Sequence, residues 1–284
     1  FTNVGITGTV GTVYTLTYAV SGVTSVTQTI TPGGFQLFTA AAGAASGAAF
    51  TTQPVVRKLT SGNVLDTSDS TTVVTMTVSR GASIVGTATK TMVGGVAAFS
   101  GAGVSGFSGK TYTITYTPAS GDPVTQTIAP TVGAAAQLVI THYPTFAVNG
   151  SAFGFDLNPT PNYLKVAVRD SGGNTITGSS ATVTATVNNS GTLLGTTAPA
   201  ASAGIATFTG LGITGTTGTA YTVTFTSTGL TSATYTTTLL GTSPTTAATV
   251  ASANETRNPI NYKFSQLAAA GTTNITYGMA LSSD

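Results

Sequence analysis

Several residue types are missing from this sequence or rare in it. It contains no cysteine and no tryptophan, and its 284 residues include only 9 Lys or Arg and 7 Asp or Glu. Without cysteine, disulfides and thiol chemistry are excluded. The net charge of +2 is scattered without a basic run, so we expect neither a nucleic-acid partner nor attraction to a membrane surface. The apolar runs, such as residues 134–140, are too short to cross a bilayer, and we expect no membrane insertion.

Residues suited to catalysis or metal binding are equally sparse. The chain has one histidine, His142, and lacks the second histidine or the cysteine from which a catalytic triad or a zinc site is built. We therefore expect His142 to have a surface or packing role. Asp66 and Asp69 share a loop and carry the oxygens that calcium prefers, but calcium-loop spacing is absent, which favours a solvated loop. The sequence predicts no enzyme activity, no cofactor and no metal site.

One block occurs three times in the chain, at residues 1–31, 99–129 and 208–238, and the copies align without a gap. In each copy one Phe, three Gly and one Tyr keep the same spacing, and the tyrosines are Tyr14, Tyr112 and Tyr221. A repeat of this kind sets the architecture, so we expect a fold made of serial modules.

Each block is predicted to be a β-hairpin. After the tyrosine, apolar residues alternate with threonine, as at Tyr14, Leu16 and Tyr18, which is the period of a strand with one apolar face. A second run follows a short polar turn, and two such runs indicate paired strands. The glycines before the tyrosine permit the turn into the first strand. We expect the tyrosine ring in the core and its hydroxyl bonded to a backbone group.

The repeat also predicts the domain organisation. Residues 33–132 and 133–243 each hold about seven short strands separated by turn signals, which indicates an immunoglobulin-like sandwich. The second of these domains carries a Pro- and Phe-rich insertion at residues 144–163. Residues 1–32 are only the C-terminal part of such a domain, so either the rest lies outside this sequence or another chain completes it by strand addition. Residues 244–284 depart from the repeat and are predicted to be a linker and docking tail.

The predicted fold class is therefore all-β, with tandem immunoglobulin-like β-sandwich domains, the first incomplete, and a C-terminal tail. A family resemblance rests on short patterns inside the modules, namely AFTTQPVV at residues 49–56, GN at 173–174, GIATF at 204–208 and GLTSAT at 229–234. With these patterns, residues 1–243 resemble bacterial Ig-like repeats of the invasin/intimin-like kind, found in large surface proteins and in phage structural proteins. The resemblance implies stalk, spacer, adhesive or decorative modules, and the family has no shared active site.

Three functions of different classes are compatible with these features. The first is a non-enzymatic structural or adhesive module of an extracellular bacterial surface fibre, because serial sandwiches make a long spacer. The alternative is a bacteriophage virion structural protein, a tail fibre or a capsid decoration, built from the same domains. The third, an enzyme accessory module such as a carbohydrate-binding domain, is disfavoured because sugar platforms usually need exposed aromatic residues. This chain has no tryptophan, and most of its Tyr and Phe fall at core positions.

Aromatic residues in and beside the insertion are the exception, and they form the predicted binding surface: Tyr143, Phe146, Phe153, Phe155 and Tyr163. The expected partners are other protein subunits of a fibre or virion, including further copies of this chain, and also a cell-surface receptor or glycan. The expected location is extracellular, at a bacterial cell surface or a virion surface. Since the sequence begins at Phe1 within a repeat, we expect a processed product or part of a longer protein.

Overall fold

The structure is a computed structural model that describes residues 4–154 and 163–241. All regular secondary structure within these ranges is β-strand, and the fold class is all-β, as predicted. The chain divides into two compact units. Of the described residues, the first unit contains those up to Ala136 and also Arg169–Ile176, and the second contains those within Gln137–Val168 and those from Thr177 onward. The sequence-based division into domains did not assign Arg169–Ile176 to the earlier module.

The chain begins with a hairpin whose apolar face has little cover. Its strands are β1 (Tyr14–Val20) and β2 (Val23–Ile30), and they form a two-stranded antiparallel sheet. Leu16, on the apolar face of β1, is only half-buried, and Val26 of β2 is 66% exposed. The predicted tail at residues 244–284 lies outside the described residues.

The remainder of the first unit contains ten strands in three sheets. The strands are β3 (Gly34–Thr39), β4 (Ala48–Ala49), β5 (Val55–Leu59), β6 (Val73–Val78), β7 (Ala82–Val85), β8 (Thr89–Thr91), β9 (Val96–Ala98), β10 (Gly103–Gly106), β11 (Tyr112–Pro118) and β12 (Val124–Ile128). The sheet orders are β3-β5-β9, β12-β11-β6-β8 and β4-β10-β7. Because β6 pairs with β11 across a long stretch of sequence, the sheets do not form a simple meander of neighbouring hairpins.

The core of the first unit follows from the alternation on β11. Ile114 and Tyr116 are fully buried, whereas Thr115 between them is half-buried and the flanking Thr113 and Thr117 are exposed. The Tyr116 ring packs against Phe99 with a centroid separation of 5.7 Å. Met76 of β6 is buried in the same cluster. The aromatic and β-branched residues that favour strands therefore also supply the core.

The second unit repeats this plan. Its strands are β13 (Gln137–His142), β14 (Ala147–Val148), β15 (Ser151–Ala152), β16 (Leu164–Arg169), β17 (Thr184–Val187), β18 (Thr192–Leu194), β19 (Ile205–Phe208), β20 (Gly212–Thr214), β21 (Ala220–Thr226) and β22 (Ala233–Leu240). The sheet orders are β13-β16-β19, β14-β22-β21-β17 and β15-β20-β18. The rings of Phe208 and Phe225 meet at 5.0 Å in its core, at the positions that Phe99 and Tyr116 hold in the first unit.

The three repeated hairpins have one register. The tyrosine at the start of each first strand faces the same position of the second strand, in the pairs Tyr14↔Ile30, Tyr112↔Ile128 and Tyr221↔Thr237. The repeat in the sequence is therefore also a repeat in backbone pairing. Register does not depend on full burial, because the first hairpin has the same pairing with an exposed face.

The repeated tyrosines fix the turn that precedes each hairpin. Each hydroxyl accepts a hydrogen bond from the backbone N–H five residues earlier, from Thr9 at 2.9 Å, Phe107 at 3.0 Å and Thr216 at 2.8 Å. The expected bond to a backbone group is thus confirmed in all three copies. The expected burial of the ring is confirmed for Tyr112 and Tyr221. It is wrong for Tyr14, which is half-buried because no other described strand joins the sheet of β1 and β2.

One of the recurring glycines lies so close to the tyrosine ring that no larger residue fits there. A Cβ atom at Gly106 would lie 2.9 Å from a ring carbon of Tyr112, and at Gly8 it would lie 2.6 Å from the ring of Tyr14. Real Cβ atoms do not approach so closely, so only glycine lets the ring lie across the turn.

A polar side chain holds the segment that follows the first strand of each sandwich. In the first unit the Gln126 side chain accepts the N–H of Ala41 at 2.8 Å and donates to the Ala41 carbonyl at 3.0 Å. In the second unit Tyr235, at the equivalent place in the hairpin, donates its hydroxyl to the Pro144 carbonyl at 3.3 Å. Proline has no N–H, so a donor alone suffices there.

Candidate functional site

The described residues contain no cluster of three or more His, Cys, Asp or Glu that could hold a metal ion. Among them, no helix is long and apolar enough to cross a membrane. His142 is half-buried, and its Nδ1 lies 3.0 Å from the backbone carbonyl oxygen of Tyr163. It therefore contributes to packing at the end of β13.

The two aspartates considered for calcium instead surround a lysine. The Lys58 Nζ lies 2.9 Å from Asp69 Oδ2 and 3.2 Å from Asp66 Oδ2. The Asp69 carboxylate also accepts the Thr72 hydroxyl at 2.7 Å and the Thr72 N–H at 3.0 Å. The expectation of a solvated loop is wrong for Asp69, which is 7% exposed. Its oxygens are already engaged by a cation and by backbone donors.

The charges of this cluster stabilise one another. The hydrogen bond from Lys58, followed by that from Thr72, holds the pKa of Asp69 well below its ordinary value. The hydrogen bonds to Asp69 and then to Asp66 raise the pKa of Lys58. The hydrogen bond from Ser68, followed by that from Lys58, lowers the pKa of Asp66. All three groups are therefore ionised at neutral pH, and the cluster is a structural ion pair without a free base or nucleophile.

The most elaborate polar arrangement is a turn at residues 170–174, which we call the docked turn. Asp170 is fully buried, and its carboxylate accepts the N–H groups of Gly133, Gly172 and Asn174 at 2.9, 3.0 and 2.9 Å. The Asn174 Nδ2 donates to the same carboxylate at 2.9 Å. A buried charge needs such donors, so Asp170 organises the turn from inside.

The docked turn lies against residues 105–108 of the same unit. The Asn174 carboxamide donates from Nδ2 to the Gly106 carbonyl at 3.0 Å and accepts the Ser108 N–H at 2.8 Å. The Ser171 and Ser105 hydroxyls are 2.9 Å apart. The Asn174 side chain thus hydrogen-bonds one acceptor and one donor of the opposing backbone.

The fit between the docked turn and residues 105–108 is close. A Cβ atom at Gly172 would collide with the Gly106 carbonyl and with the Ser46 hydroxyl. The Ser46 hydroxyl itself donates to the Gly106 carbonyl at 3.0 Å and accepts the Gly106 N–H at 3.1 Å. Glycine is therefore required where the turn makes its nearest approach.

A related turn packs against the first hairpin block. The Gly62 N–H donates to the Thr31 carbonyl at 3.1 Å, and the Asn63 side chain lies beside Gly11. Asn63 adopts a left-handed conformation with φ 66°, which asparagine tolerates better than most residues. Glycine and asparagine turns thus contact the preceding hairpin block twice within the first unit.

The predicted aromatic surface is only partly exposed. Tyr143 and Phe146 are 55% and 41% exposed, while Phe153 is 6% exposed and contacts the Tyr235 ring at 5.5 Å. Phe153, which directly follows β15, is a core residue and adds nothing to an outer surface. Tyr163 is half-buried. Phe155 lies outside the described residues.

Neither the docked turn nor the ion pair was predicted from the sequence. For the docked turn, an Asp directly before a Ser-Gly-Gly-Asn run was a usable signal, because Asp and Asn side chains bond nearby backbone amides. Asp69 was predicted only as part of a solvated loop. Its partner Lys58 lies on β5, and the alternation of apolar and polar residues does not predict that β5 contacts this loop.

Comparisons with known proteins add little. No family model matches the chain, and no curated protein matches it. Among solved structures, it is similar to a β-glucuronidase of Parabacteroides merdae at 12% identity, covering 73% of this chain and 25% of that chain with a TM-score of 0.26. A glycosyl hydrolase family 2 member of Bacteroides cellulosilyticus is similar at 13% identity, covering 66% and 23% with a TM-score of 0.31. A β-glycosidase of Bacteroides vulgatus is similar at 12% identity, covering 72% and 24% with a TM-score of 0.28.

This chain spans about a quarter of the length of these glycosidases. TM-scores of this size carry no argument about what the chain does.

Proposed function

We propose that this chain is a non-enzymatic structural and adhesive module of an extracellular bacterial surface fibre. One observation carries the proposal: the same hairpin recurs three times along the chain in one register. Serial repetition of a single β unit is the way in which repeat proteins gain length, because each unit needs contact only with its neighbours. The chain is accordingly proposed to act as a spacer.

The polar groups of the first unit support a structural role. The Asp170 carboxylate accepts hydrogen bonds from its own turn and from Gly133. The Asp69 carboxylate accepts hydrogen bonds from Lys58 and Thr72. Groups that perform acid–base chemistry must be open to a substrate, and these are closed by internal hydrogen bonds. They stabilise the fold instead.

The adhesive part of the proposal is assigned to the exposed side chains of Tyr143 and Phe146. The two residues flank the buried Pro144 in the sequence, and Tyr143 is in ring contact with Tyr235 at 6.5 Å. Exposed aromatic rings are enriched at protein interfaces and stack on apolar faces of ligands. We propose that they contact another protein subunit or a surface glycan.

The location can be tested with antibodies raised against the chain and applied to the native source. Gold label on the outside of intact cells, with the protein recovered in a sheared-filament fraction, is the expected result. Label confined to phage particles would move the assignment to a virion structural protein. Recovery of the protein only from the soluble cell interior would refute both assignments.

The adhesive surface needs a separate measurement. Attachment of the purified chain to source cells or particles is expected to fall when Tyr143 and Phe146 are both replaced by Ala. The matched control is replacement of two exposed valines of the first hairpin, Val20 and Val23, by Ala, which should leave attachment unchanged. Equal attachment of the wild type and the aromatic double variant would refute the assignment of this surface.

A further inference from the structure

The second unit contains a surface equivalent to the one that the docked turn contacts in the first unit. In the first unit the Gly106 N–H donates to Ser46 Oγ at 3.1 Å, and in the second the Gly215 N–H donates to Asn149 Oδ1 at 3.0 Å. Two backbone bonds recur nearby. In the first unit the Gly47 N–H donates to the Val104 carbonyl at 3.0 Å, and in the second the Gly150 N–H donates to the Ile213 carbonyl at 3.0 Å. Likewise, the Gly109 N–H donates to the Pro130 carbonyl at 3.1 Å, and the Gly218 N–H donates to the Leu239 carbonyl at 2.8 Å.

The two ends differ in what meets them. In the first unit the Gly106 carbonyl and the Ser108 N–H are taken by the Asn174 carboxamide. The equivalent groups of the second unit are the Gly215 carbonyl and the Thr217 N–H, and neither makes a hydrogen bond with any residue in the ranges 4–154 and 163–241. Both residues are partly accessible.

We propose that residues 149–150 and 215–218 form a docking site for the glycine- and asparagine-bearing turn of a further immunoglobulin-like module. This inference rests on the proposed spacer function. The asparagine carboxamide would donate to the Gly215 carbonyl and accept the Thr217 N–H, as Asn174 does at Gly106 and Ser108. A carboxamide fits because it carries one acceptor and two donors in a plane.

The choice of occupant comes from the chain itself. Turns of this composition contact a hairpin block twice within the first unit, at Gly62-Asn63 and at the docked turn. Among the described residues, the carboxamide bonds are made by the docked turn and not by Asn63. The match at the second unit extends to the glycine that the tyrosine ring requires, because a Cβ at Gly215 would collide with Tyr221 as a Cβ at Gly106 would approach Tyr112. The end is built to the same plan, so the same kind of turn fits it.

The test is a duplication of residues 132–240 within the full chain, inserted directly after Leu240. Leu240 corresponds to Thr131 in the repeat, so the inserted copy continues from a natural junction. The inserted copy also carries Thr216→Ser, an exposed position, so that its peptides over Thr217 and Val223 differ in mass from those of the first copy. Hydrogen exchange at the amide of Thr217 in the first copy, read by fragmentation mass spectrometry, is the measurement. We expect it to become about tenfold slower than in the unmodified chain, which is the protection of one hydrogen bond, and to match the amide of Ser108.

Replacing Asn174 by Ala in the inserted copy alone should return the Thr217 amide to its rate in the unmodified chain. The Ser171→Ala change in the inserted copy is the control, because it removes a hydroxyl contact and leaves the carboxamide in place. Unchanged exchange at Thr217, with the inserted copy folded as judged by a protected Val223 amide, would overturn the proposal.

A second measurement needs no duplication and guards against an insertion that does not fold. In the unmodified chain, Asn174→Ala should speed exchange at the Ser108 amide by about tenfold, while Ser171→Ala should not. An unaffected Ser108 amide would show that the carboxamide does not hold this end, and the proposed site would fall with it. Neither result depends on cellular location, so failure here leaves the proposed spacer function to its own test.

Discussion

Replacing Asp69 by Asn is expected to destabilise the first unit by about 2 kcal/mol. The Asp69 carboxylate accepts Lys58 Nζ at 2.9 Å, the Thr72 hydroxyl at 2.7 Å and the Thr71 N–H at 3.1 Å. A hydrogen bond to a charged group contributes about 1.5–3 kcal/mol. Lys58 would keep Asp66 at 3.2 Å, so the loss should stay below the about 3–5 kcal/mol found when a buried charge loses its only partner.

The assay is native-state hydrogen exchange, with the amides of β6 reporting the first unit and those of β21 the second. A loss of about 2 kcal/mol should speed the slowest β6 amides by about 30-fold, because 1.4 kcal/mol is a factor of about ten. The β21 amides serve as the internal reference and should not change. Exchange in β6 equal to that of the wild type would refute the reasoning.

The matched control is Asp66→Asn, which removes the negative charge of the other aspartate that pairs with Lys58. Asp66 is the more exposed partner, with a side chain 19% exposed against 4% for Asp69, and its bond to Lys58 is longer. Its loss should cost clearly less than the loss of Asp69, because solvent screens the more exposed pair. Equal costs for the two substitutions would show that burial of Asp69 adds nothing to the pair.

Three further outcomes are expected. Since Lys58 lowers the folded-state pKa of Asp69, its stabilisation is complete above the ordinary aspartate pKa and is lost as pH falls, so the gap between wild type and Asp69→Asn in urea unfolding should be full at pH 7 and shrink below about pH 4. Tyr221→Phe should cost the second unit about 1 kcal/mol, because the N–H of Thr216 loses its acceptor, and an unchanged urea midpoint would contradict this. Phe153→Ala should cost about 3–5 kcal/mol and Phe146→Ala less than about 1 kcal/mol, and similar melting temperatures for the two variants would contradict the assigned burial.

The all-β class, the hairpins and the tyrosine hydrogen bonds were predictable because their causes are local. Alternation with a period of two and the spacing from glycine to Tyr112 are properties of a short stretch of sequence. The half-buried state of Tyr14 was not predictable from the block itself, because its three copies have nearly the same pattern. Burial depends on the strands that cover a hairpin, and these lie far away in the sequence.

The polar contacts were missed for the same reason. Asn174 reaches Gly106 across 68 positions of the chain, and Lys58 reaches Asp69 across 11 with a turn between them. Neither contact follows a helix or strand period, so no spacing in the sequence marks it. The aromatic prediction failed at Phe153 because composition selected the segment, whereas the inward or outward direction of each side chain is decided by the strand that carries it.

The shared register of the three hairpins has a consequence for folding. Hairpins that are interchangeable in backbone pairing invite domain swapping, in which one module completes itself with the hairpin of another, a typical failure of repeat proteins. The side chains that face the first strand discriminate between the correct and the exchanged hairpin. Gln126 placed opposite Pro144 would keep the hydrogen bond from the Tyr116 hydroxyl of its own hairpin, but it would lose the backbone N–H that Ala41 supplies in the correct module. The difference between glutamine and tyrosine at this position therefore acts against misassembly of the modules.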